Sequence, residues 1–250
     1  MAKIACVVLP TYNEAANVGE LIPLIFAEAE NIPTHELHVL VVDDNSPDGT
    51  ADVVRRLMQE RPKLHLLLGE KKGLGDAYTR GFAHATKDLQ ADLVIQMDAD
   101  FQHDPTLLPL FITLSQYGFT LIIGSRFAPG GSTPNFALHQ RLRSRLAALL
   151  VCKFGGIPRI KDCTSGFRCV SATLLRRCDL SGLSTRGYSF FSSLLCELMW
   201  GGAKVIEIPI VFGQRRGGKS KLAFKDQLEF LVNLFRLLRR RIRKGSRKPF

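Results

Sequence analysis

Residues 92–102 read DLVIQMDADFQ, an apolar segment that ends in two aspartates and a glutamine. Its central part, Leu93 to Met97, has the length and composition of a buried strand. Four further runs of this kind are Ile4 to Leu9, Leu37 to Val42, Leu64 to Leu68 and Leu121 to Ile123. Segments of helical character begin near Glu14, Asp48, Gly75 and Pro105. This alternation predicts an α/β fold with a mostly parallel sheet and helices on both faces, in which ligands bind beyond the carboxyl ends of the strands.

The composition is that of one globular domain. The chain has 250 residues, of which 46% are hydrophobic and 23% charged, which excludes disordered, collagen-like and coiled-coil proteins. Its six cysteines include no CxxC pair, which predicts reduced thiols in a cytosolic protein. No apolar run reaches the ~18–20 residues of a membrane span, and the first ten residues run directly into a strand. We therefore expect neither a membrane span nor a secretory signal.

The excess positive charge is concentrated at the C-terminus. The 34 basic and 23 acidic residues give +11, but eight basic residues lie within 236–250, so the remainder carries 26 against 23, or +3. From residue 222 onward, leucines and phenylalanines recur at helical spacing. This pattern divides the chain into a main domain over 1–221 and an amphipathic, polybasic helix over 222–250, which we expect to bind a membrane surface. The alternative is a last helix packed on the core with a solvated basic end.

Polar segments follow the first three strands. After the first, Pro10 and Tyr12 form an apolar ledge on which a base can stack, with Glu14 as an acceptor, although an ordinary strand-to-helix turn explains the segment equally well. After the second, two adjacent aspartates require a cation or hydrogen-bond donors. After the third, KKGLGDA suggests phosphate, but a dinucleotide fingerprint would need glycine at Tyr78 and a place after the first strand. NAD binding is therefore disfavoured.

The fourth and fifth strands are followed by residues suited to a cation and to phosphate. Asp98, Asp100 and Gln102 supply oxygen ligands of the kind that Mg²⁺ and Mn²⁺ bind while keeping positions for phosphate. An Asx turn would explain only one of these aspartates. The adjacent His103 is expected to be solvated. Arg126, after the fifth strand, is expected to bind an anionic group, and the cationic loop QRRGGKSK at 214–221 adds a diphosphate clamp.

Several segments together identify a family. PTYNE (10–14), VDDNSPDGT (42–50), DADFQ (98–102), GSR (124–126), DCTSGFR (162–168) and QRRGGKSK (214–221) occur in this order. This combination resembles the family 2 glycosyltransferases of GT-A, Rossmann-like fold, and most closely the polyprenol- and dolichol-phosphate mannosyltransferases, over roughly residues 3–221.

The resemblance implies roles for individual residues. Nucleotide-sugar binding falls on Pro10, Tyr12, Glu14, Val42, Asp44, Asp98, Ala99, Asp100, Arg215 and Lys221. The metal and diphosphate site falls on Asp98, Ala99, Asp100 and Gln102, with Asp98, Asp100 and Gln102 as the metal ligands, and Arg126 falls on the position that holds phosphate at the reaction centre. Asp98, Asp100 and Arg126 are the expected catalytic residues. The acceptor phosphate falls on Arg126, Gln140, Arg141 and Ser144.

Two positions depart from the family pattern. Aligned on Ser144, the family's acceptor-phosphate arginine falls on Gln140, with Arg141 next to it, and a nearby family tryptophan is Phe136. Either Arg141 substitutes by a small shift, or acceptor recognition differs.

The expected function is inverting transfer of mannose from GDP-mannose to a dolichyl or undecaprenyl phosphate, giving a β-linked product with the help of Mg²⁺ or Mn²⁺. The protein is then cytoplasmic and peripheral on the cytosolic face of a membrane, bound through its C-terminal tail, with a membrane partner subunit left open. A UDP-glucose donor is the alternative within this fold. The alternative of another class is a non-catalytic basic module for membrane or nucleic acid; nucleic acid is disfavoured because the body has no basic stripe with interleaved aromatics.

Overall fold

The computed structural model describes residues 2–180, 183, 187–214 and 224–245. Within these ranges, seven strands form one sheet: β1 (Lys3–Thr11), β2 (His35–Asp43), β3 (Leu64–Leu68), β4 (Leu93–Gln96), β5 (Leu121–Ser125), β6 (Arg168–Ser171) and β7 (Val205–Pro209). The strand order is β3-β2-β1-β4-β6-β5-β7. Only β6 runs antiparallel to its neighbours, β4 and β5. The predicted mostly parallel sheet is therefore confirmed.

The helices of the described residues are α1 (Ala15–Ala27), α2 (Thr50–Met58), α3 (Leu74–Lys87), α4 (Leu108–Gln116), α5 (Leu138–Gly155), α6 (Ala172–Arg177), α7 (Gly187–Trp200) and α8 (Phe224–Arg243). Short 3-10 turns occupy Glu28–Asn31 and Pro105–Leu107. The second turn begins at Pro105 because Asp104 caps it, its carboxylate accepting the Thr106 N–H at 3.0 Å. None of the helices in these ranges is both long and apolar enough to cross a membrane.

Two apolar layers enclose the sheet. Alternate strand residues point to opposite faces, so Leu40 and Val42 of β2 lie in one layer while Val39 and Val41 lie in the other. Helices α3, α5, α7 and α8 contribute to the first layer, and α1, α2 and α4 to the second. Helices on both faces are thus confirmed, and the sheet edge at the carboxyl ends of the parallel strands is left for ligands.

Helix α8 packs on this core with one of its faces. Leu234 and Leu237 are buried among the side chains of α5 and α7. Asn233 is also buried, where its amide donates to Ser192 Oγ at 3.2 Å and accepts from Ser193 Oγ at 2.9 Å. The prediction from the sequence included the apolar residues of this inner face in a membrane-binding surface. For Leu234 and Leu237 that was wrong, because both side chains are buried in the core.

The basic end of α8 is also tied to the body. Glu197 of α7 is buried, and its carboxylate meets Arg240 at 2.8 Å and Lys244. Among the side chains of α8 that the structure describes, five large apolar ones nevertheless remain exposed: Leu228, Leu231, Val232, Phe235 and Ile242. The helix therefore has an inner face that belongs to the core and an outer face that does not. The division of the chain at residue 221 stays a prediction.

Candidate active site

The segments that follow β1 and β2 lie side by side, because these strands are parallel and Thr11 pairs with Asp43. Thr11 Oγ1 donates to Asp43 Oδ1 at 2.8 Å, and the Ser46 N–H donates to Asp43 Oδ2 at 2.9 Å. The Glu14 N–H in turn donates to Thr50 Oγ1 at 3.0 Å. Asp43 is thus a buried brace that joins two loops.

The residues expected to hold a nucleotide line this edge. Tyr12 is partly exposed, and Lys71 Nζ lies 3.2 Å from the centroid of its ring. Pro10 and Glu14 are half-buried beside it. Val42, by contrast, is fully buried against Gly81 of α3, so that it can reach a ligand only through its main chain.

Asp44 is held by α3. Its carboxylate accepts a hydrogen bond from Arg80, whose Nε donates to Asp76 at 2.9 Å. Burial raises the pKa of Asp44, and Asp76 and Asp43 raise it further, while Arg80 opposes the shift. Sequence reasoning missed Arg80 and Asp76; their i,i+4 spacing was the available signal.

Asp98, Ala99, Asp100 and Gln102 follow β4 directly. Asp100 is buried, and its Oδ1 accepts the Gln102 N–H at 3.1 Å. The amide nitrogen of Gln102 donates to the carbonyl of Gly213 at 3.4 Å, and the Gly213 N–H donates back to the Gln102 carbonyl at 3.2 Å. These bonds join the loop after β4 to the segment after β7.

His103 is buried, where a solvated side chain was expected, so that expectation was wrong. Its ring stacks on Phe167 with centroids 4.9 Å apart, and Nδ1 accepts the Asp98 N–H at 3.0 Å. Burial lowers the pKa of His103 to about 4. The neutral imidazole is therefore available as an acceptor for the main chain of Asp98.

The oxygen ligands after β4 suit a divalent cation whose remaining coordination positions are filled by the substrate. Within the described ranges, no cluster of three or more histidine, cysteine or acidic side chains is arranged to hold a metal. Two carboxylates and the amide oxygen of Gln102 are instead the groups that remain for this role. Mg²⁺ binds in this way, through one or two carboxylates together with phosphate oxygens and water. The residues therefore fit the cation.

Arg126, at the end of β5, is buried in an ion pair. Its Nε and Nη2 donate to the two carboxylate oxygens of Asp162, each at 2.7 Å, and Nη2 also donates to Thr164 Oγ1 at 2.7 Å. Burial alone would raise the pKa of Asp162, but the adjacent Arg126 lowers it below its usual range. Sequence reasoning quoted the segment that contains Asp162 without giving that residue a role.

The expected acceptor residues lie at the start of α5. Gln140 Oε1 accepts the Ala137 N–H at 2.8 Å and so helps to begin the helix. Arg141 Nη2 donates to the carbonyl of Thr133 at 2.9 Å, while its buried Nε has no hydrogen-bond partner among the described residues. Ser144 lies one turn further along the helix. Arg215 and Lys221 lie outside the described residues.

The acidic residues after β4 and the arginine after β5 thus lie at the carboxyl ends of parallel strands in a Rossmann-like sheet, where such folds bind their ligands. Residues 6–181 match the model of glycosyl transferase family 2, so the chain belongs to this family and is a glycosyltransferase.

Curated relatives cover most of the chain. It is 35% identical over 231 residues to the undecaprenyl-phosphate mannosyltransferase of Micrococcus luteus, which covers 92% of this chain and 91% of that protein. It is 35% identical over 219 residues to the polyprenol monophosphomannose synthase of Mycolicibacterium smegmatis, covering 87% and 80%. It is 32% identical over 236 residues to the dolichol-phosphate mannosyltransferase of Pyrococcus furiosus, covering 93% of this chain but only 63% of that protein.

Solved structures share the fold. Mannosyl-3-phosphoglycerate synthase from Rubrobacter xylanophilus superposes with a TM-score of 0.64 at 21% identity, covering 98% of this chain and 76% of that one. Glucosyl-3-phosphoglycerate synthase from Mycobacterium tuberculosis, solved with Mn²⁺, UDP and phosphoglyceric acid, has a TM-score of 0.67 at 18% identity, covering 94% and 78%.

Proposed function

We propose that the protein transfers mannose from GDP-mannose to a polyprenyl phosphate, with inversion at the anomeric carbon. The observation that carries the proposal is the joint position of Asp98, Asp100 and Gln102 after β4 and of Arg126 after β5, at the carboxyl edge of a family 2 sheet. The names of the three curated relatives support the sugar and the class of acceptor.

The acceptor requires little activation. A phosphate monoester has a second pKa of ~6, so its oxygen is already largely ionised at neutral pH and needs no strong general base. The task of the site is to bring two anionic groups together in line. Direct attack by this oxygen on the α-linked donor gives a β-linked product.

Asp98, Asp100 and Gln102 would hold the cation against the donor diphosphate. The chemistry supplied by a bound Mg²⁺ or Mn²⁺ is charge neutralisation on the departing diphosphate. The solved structure of glucosyl-3-phosphoglycerate synthase from M. tuberculosis, which shares the fold, contains Mn²⁺, and this supports the use of a divalent cation. Arg215 and Lys221 are proposed to assist from the loop that follows Gln214.

Arg126 and Arg141 are proposed to hold the acceptor phosphate with Ser144. Two protein contacts already fix the guanidinium plane of Arg126, so little conformational entropy is lost when phosphate binds. The buried Nε of Arg141 has no hydrogen-bond partner in the part of the chain that the structure describes, which favours Arg141 over Gln140, whose amide oxygen accepts a bond at the start of the helix.

The membrane surface is proposed to meet the outer faces of α5 and α8, which pack side by side. Exposed leucines and a phenylalanine occupy both helices, at Leu142, Leu146, Leu149, Leu228, Leu231 and Phe235. Arg143, Arg145, Arg236, Arg239 and Arg243 are exposed among them. Apolar side chains interspersed with arginines are the composition that binds an anionic lipid surface. A peripheral position on the cytosolic face of a membrane follows as part of this proposal.

The test is transfer of radiolabelled sugar from GDP-mannose, with UDP-glucose in parallel, to polyprenyl phosphate by the purified protein with Mg²⁺ or Mn²⁺. Metal-dependent label in the organic phase from GDP-mannose alone is the expected result. Transfer from UDP-glucose alone would show that the donor is UDP-glucose and that GDP-mannose was the wrong assignment. Absence of transfer from either donor, with or without membranes that could supply a partner subunit, would contradict the proposal.

A further inference from the structure

Asp98 is restrained at two points, by one side chain from α3 and by another from its own loop after β4. The hydroxyl of Tyr78 donates to Asp98 Oδ1 at 3.0 Å, and the Asp98 N–H donates to His103 Nδ1 at 3.0 Å. One bond acts on the carboxylate and the other on the main chain. Together they determine where this aspartate stands and in which direction its carboxylate points.

Tyr78 is itself immobilised by packing. It lies on α3, fully buried, with its ring centroid 5.7 Å from that of Phe82, 5.8 Å from that of Phe190 and 5.7 Å from that of Phe191. A phenol hydroxyl in such apolar surroundings requires a hydrogen-bond partner. Among the residues that the structure describes, Asp98 is the partner to which this hydroxyl donates.

The space around the second carboxylate oxygen is restricted as well. A Cβ on Gly166 would lie 3.2 Å from Asp98 Oδ2 and 3.0 Å from the ring of Phe191. Glycine at this position therefore gives the carboxylate the room that its orientation by Tyr78 requires.

We propose that Tyr78 and His103 are positioning residues that orient Asp98 for the divalent cation. The inference rests on the proposed cation site, since it states how one of its three side chains is oriented. Hydrogen-bond partners of metal-binding carboxylates change metal affinity by about 10–100-fold when they are removed. A group held in place before the cation arrives loses less entropy on binding.

The first test is Tyr78→Phe, which removes one oxygen atom and retains every ring contact. Mn²⁺ binding is measured by equilibrium dialysis with and without GDP, together with the KM for Mn²⁺ and kcat at saturating Mn²⁺. We expect the Kd and the KM for Mn²⁺ to rise about tenfold, with most of kcat regained at high Mn²⁺. Tyr117→Phe is the matched control, because Tyr117 is exposed and should leave the Kd unchanged.

The second test is a pair of variants at His103. His103→Phe keeps a ring beside Phe167 but removes the acceptor for the Asp98 N–H, whereas His103→Asn supplies an oxygen near the position of Nδ1. We expect the first variant to raise the Kd for Mn²⁺ and the second to restore much of the loss. A lower melting temperature with an unchanged Kd in both Tyr78→Phe and His103→Phe would show a structural role only and overturn the inference.

The two proposals fail in different ways. If the wild-type protein transfers sugar but neither binds nor needs Mn²⁺ or Mg²⁺, the cation site itself is wrong, and the inference fails with it. If the wild type binds Mn²⁺ and the variants bind it equally well, only the inference is overturned.

Discussion

Arg126 and Asp162 form a buried, bidentate ion pair that links the end of β5 to the segment before β6. Both carboxylate oxygens are 2.7 Å from guanidinium nitrogens, and the main-chain N–H of Arg126 adds a third bond to Asp162 Oδ2 at 3.0 Å. The arginine proposed to bind the acceptor phosphate is therefore oriented by the protein before any substrate arrives. Its orientation depends on a residue 36 positions further along the chain.

Asp162→Asn should reduce both stability and acceptor binding. The substitution leaves a buried guanidinium without its counter-charge, a situation that costs about 3–5 kcal/mol. The free energy of unfolding in urea and the KM for polyprenyl phosphate are the measurements. Asp88→Asn, at an exposed carboxylate, is the control and should change the free energy by less than about 0.5 kcal/mol. An unchanged KM in a folded Asp162→Asn protein would contradict the positioning role.

Asp100→Ala should abolish transfer while leaving the protein folded. The side chain provides one of the proposed cation ligands, and its Oδ1 accepts the Gln102 N–H at 3.1 Å. Loss of that contact should cost about 1 kcal/mol of stability. Label transfer and thermal unfolding of the same preparation are compared with those of Asp104→Ala, which removes the two bonds from Thr106 that cap the 3-10 turn. Retained transfer by Asp100→Ala would refute the assignment of this residue.

Substitution of Leu146, Leu231 and Phe235 together by Gln should weaken membrane binding without unfolding the protein. These three side chains are exposed. Removal of residues 222–250 would also remove the buried Leu234 and Leu237, so that a loss of membrane binding could not be separated from a loss of stability. At about 1 kcal/mol for each partly buried side chain, the loss in partitioning should be about a hundredfold. Co-sedimentation with anionic vesicles measures it.

The control for this surface lies on the other face of the sheet. Leu24 of α1 and Leu110 of α4 are exposed to a similar degree, and their replacement by Gln should leave vesicle binding unchanged. The triple variant should also lose more activity on long polyprenyl acceptors than on short, soluble ones. Equal losses on both acceptors would contradict a membrane role for the α5 and α8 surface.

Glu197→Gln should loosen α8. The carboxylate is buried and meets both Arg240 and Lys244, so its neutral replacement keeps the shape but loses two charged contacts. Because both cations are partly exposed, the expected cost is about 1–3 kcal/mol in the free energy of unfolding. Hydrogen exchange of α8 should increase more than that of β1 and β2. Uniform changes in exchange would indicate global destabilisation without a specific role in holding the helix.

Substitution by alanine should have different effects at two glycines close to the proposed nucleotide site, Gly69 and Gly81. A Cβ at Gly69 would collide with the guanidinium of Arg80, the mobile end of a side chain, and would displace it from Asp44. We expect the KM for the donor to rise with little change in stability. A Cβ at Gly81 would lie 2.5 Å from Val8 and 3.0 Å from Val42 within the core, so Gly81→Ala should cost about 1–3 kcal/mol. Donor KM and urea unfolding of both variants distinguish the two effects.

Much of the fold was readable from local patterns. Five parallel strands were predicted within two residues of their observed ends, because each is a short apolar run followed by polar residues. Strands β6 and β7 were not predicted. Arg168–Ser171 has only two apolar residues, between an arginine and a serine, and Val205–Pro209 includes Glu207 and ends in proline, so neither has a clear strand pattern.

The sequence by itself determined the family, the sheet and the loops that carry the proposed site, because strand periodicity and short motifs depend on residues that are close along the chain. Only the tertiary structure decided which polar side chains restrain those loops. Tyr78 lies 20 positions from Asp98, and Asp162 lies 36 from Arg126, so no local pattern connects them. The sequence of α8 likewise shows that the helix is amphipathic, but only its packing on α5 and α7 shows which of its apolar side chains are buried. Buried polar groups require partners, and those partners are selected only when distant helices and strands pack together.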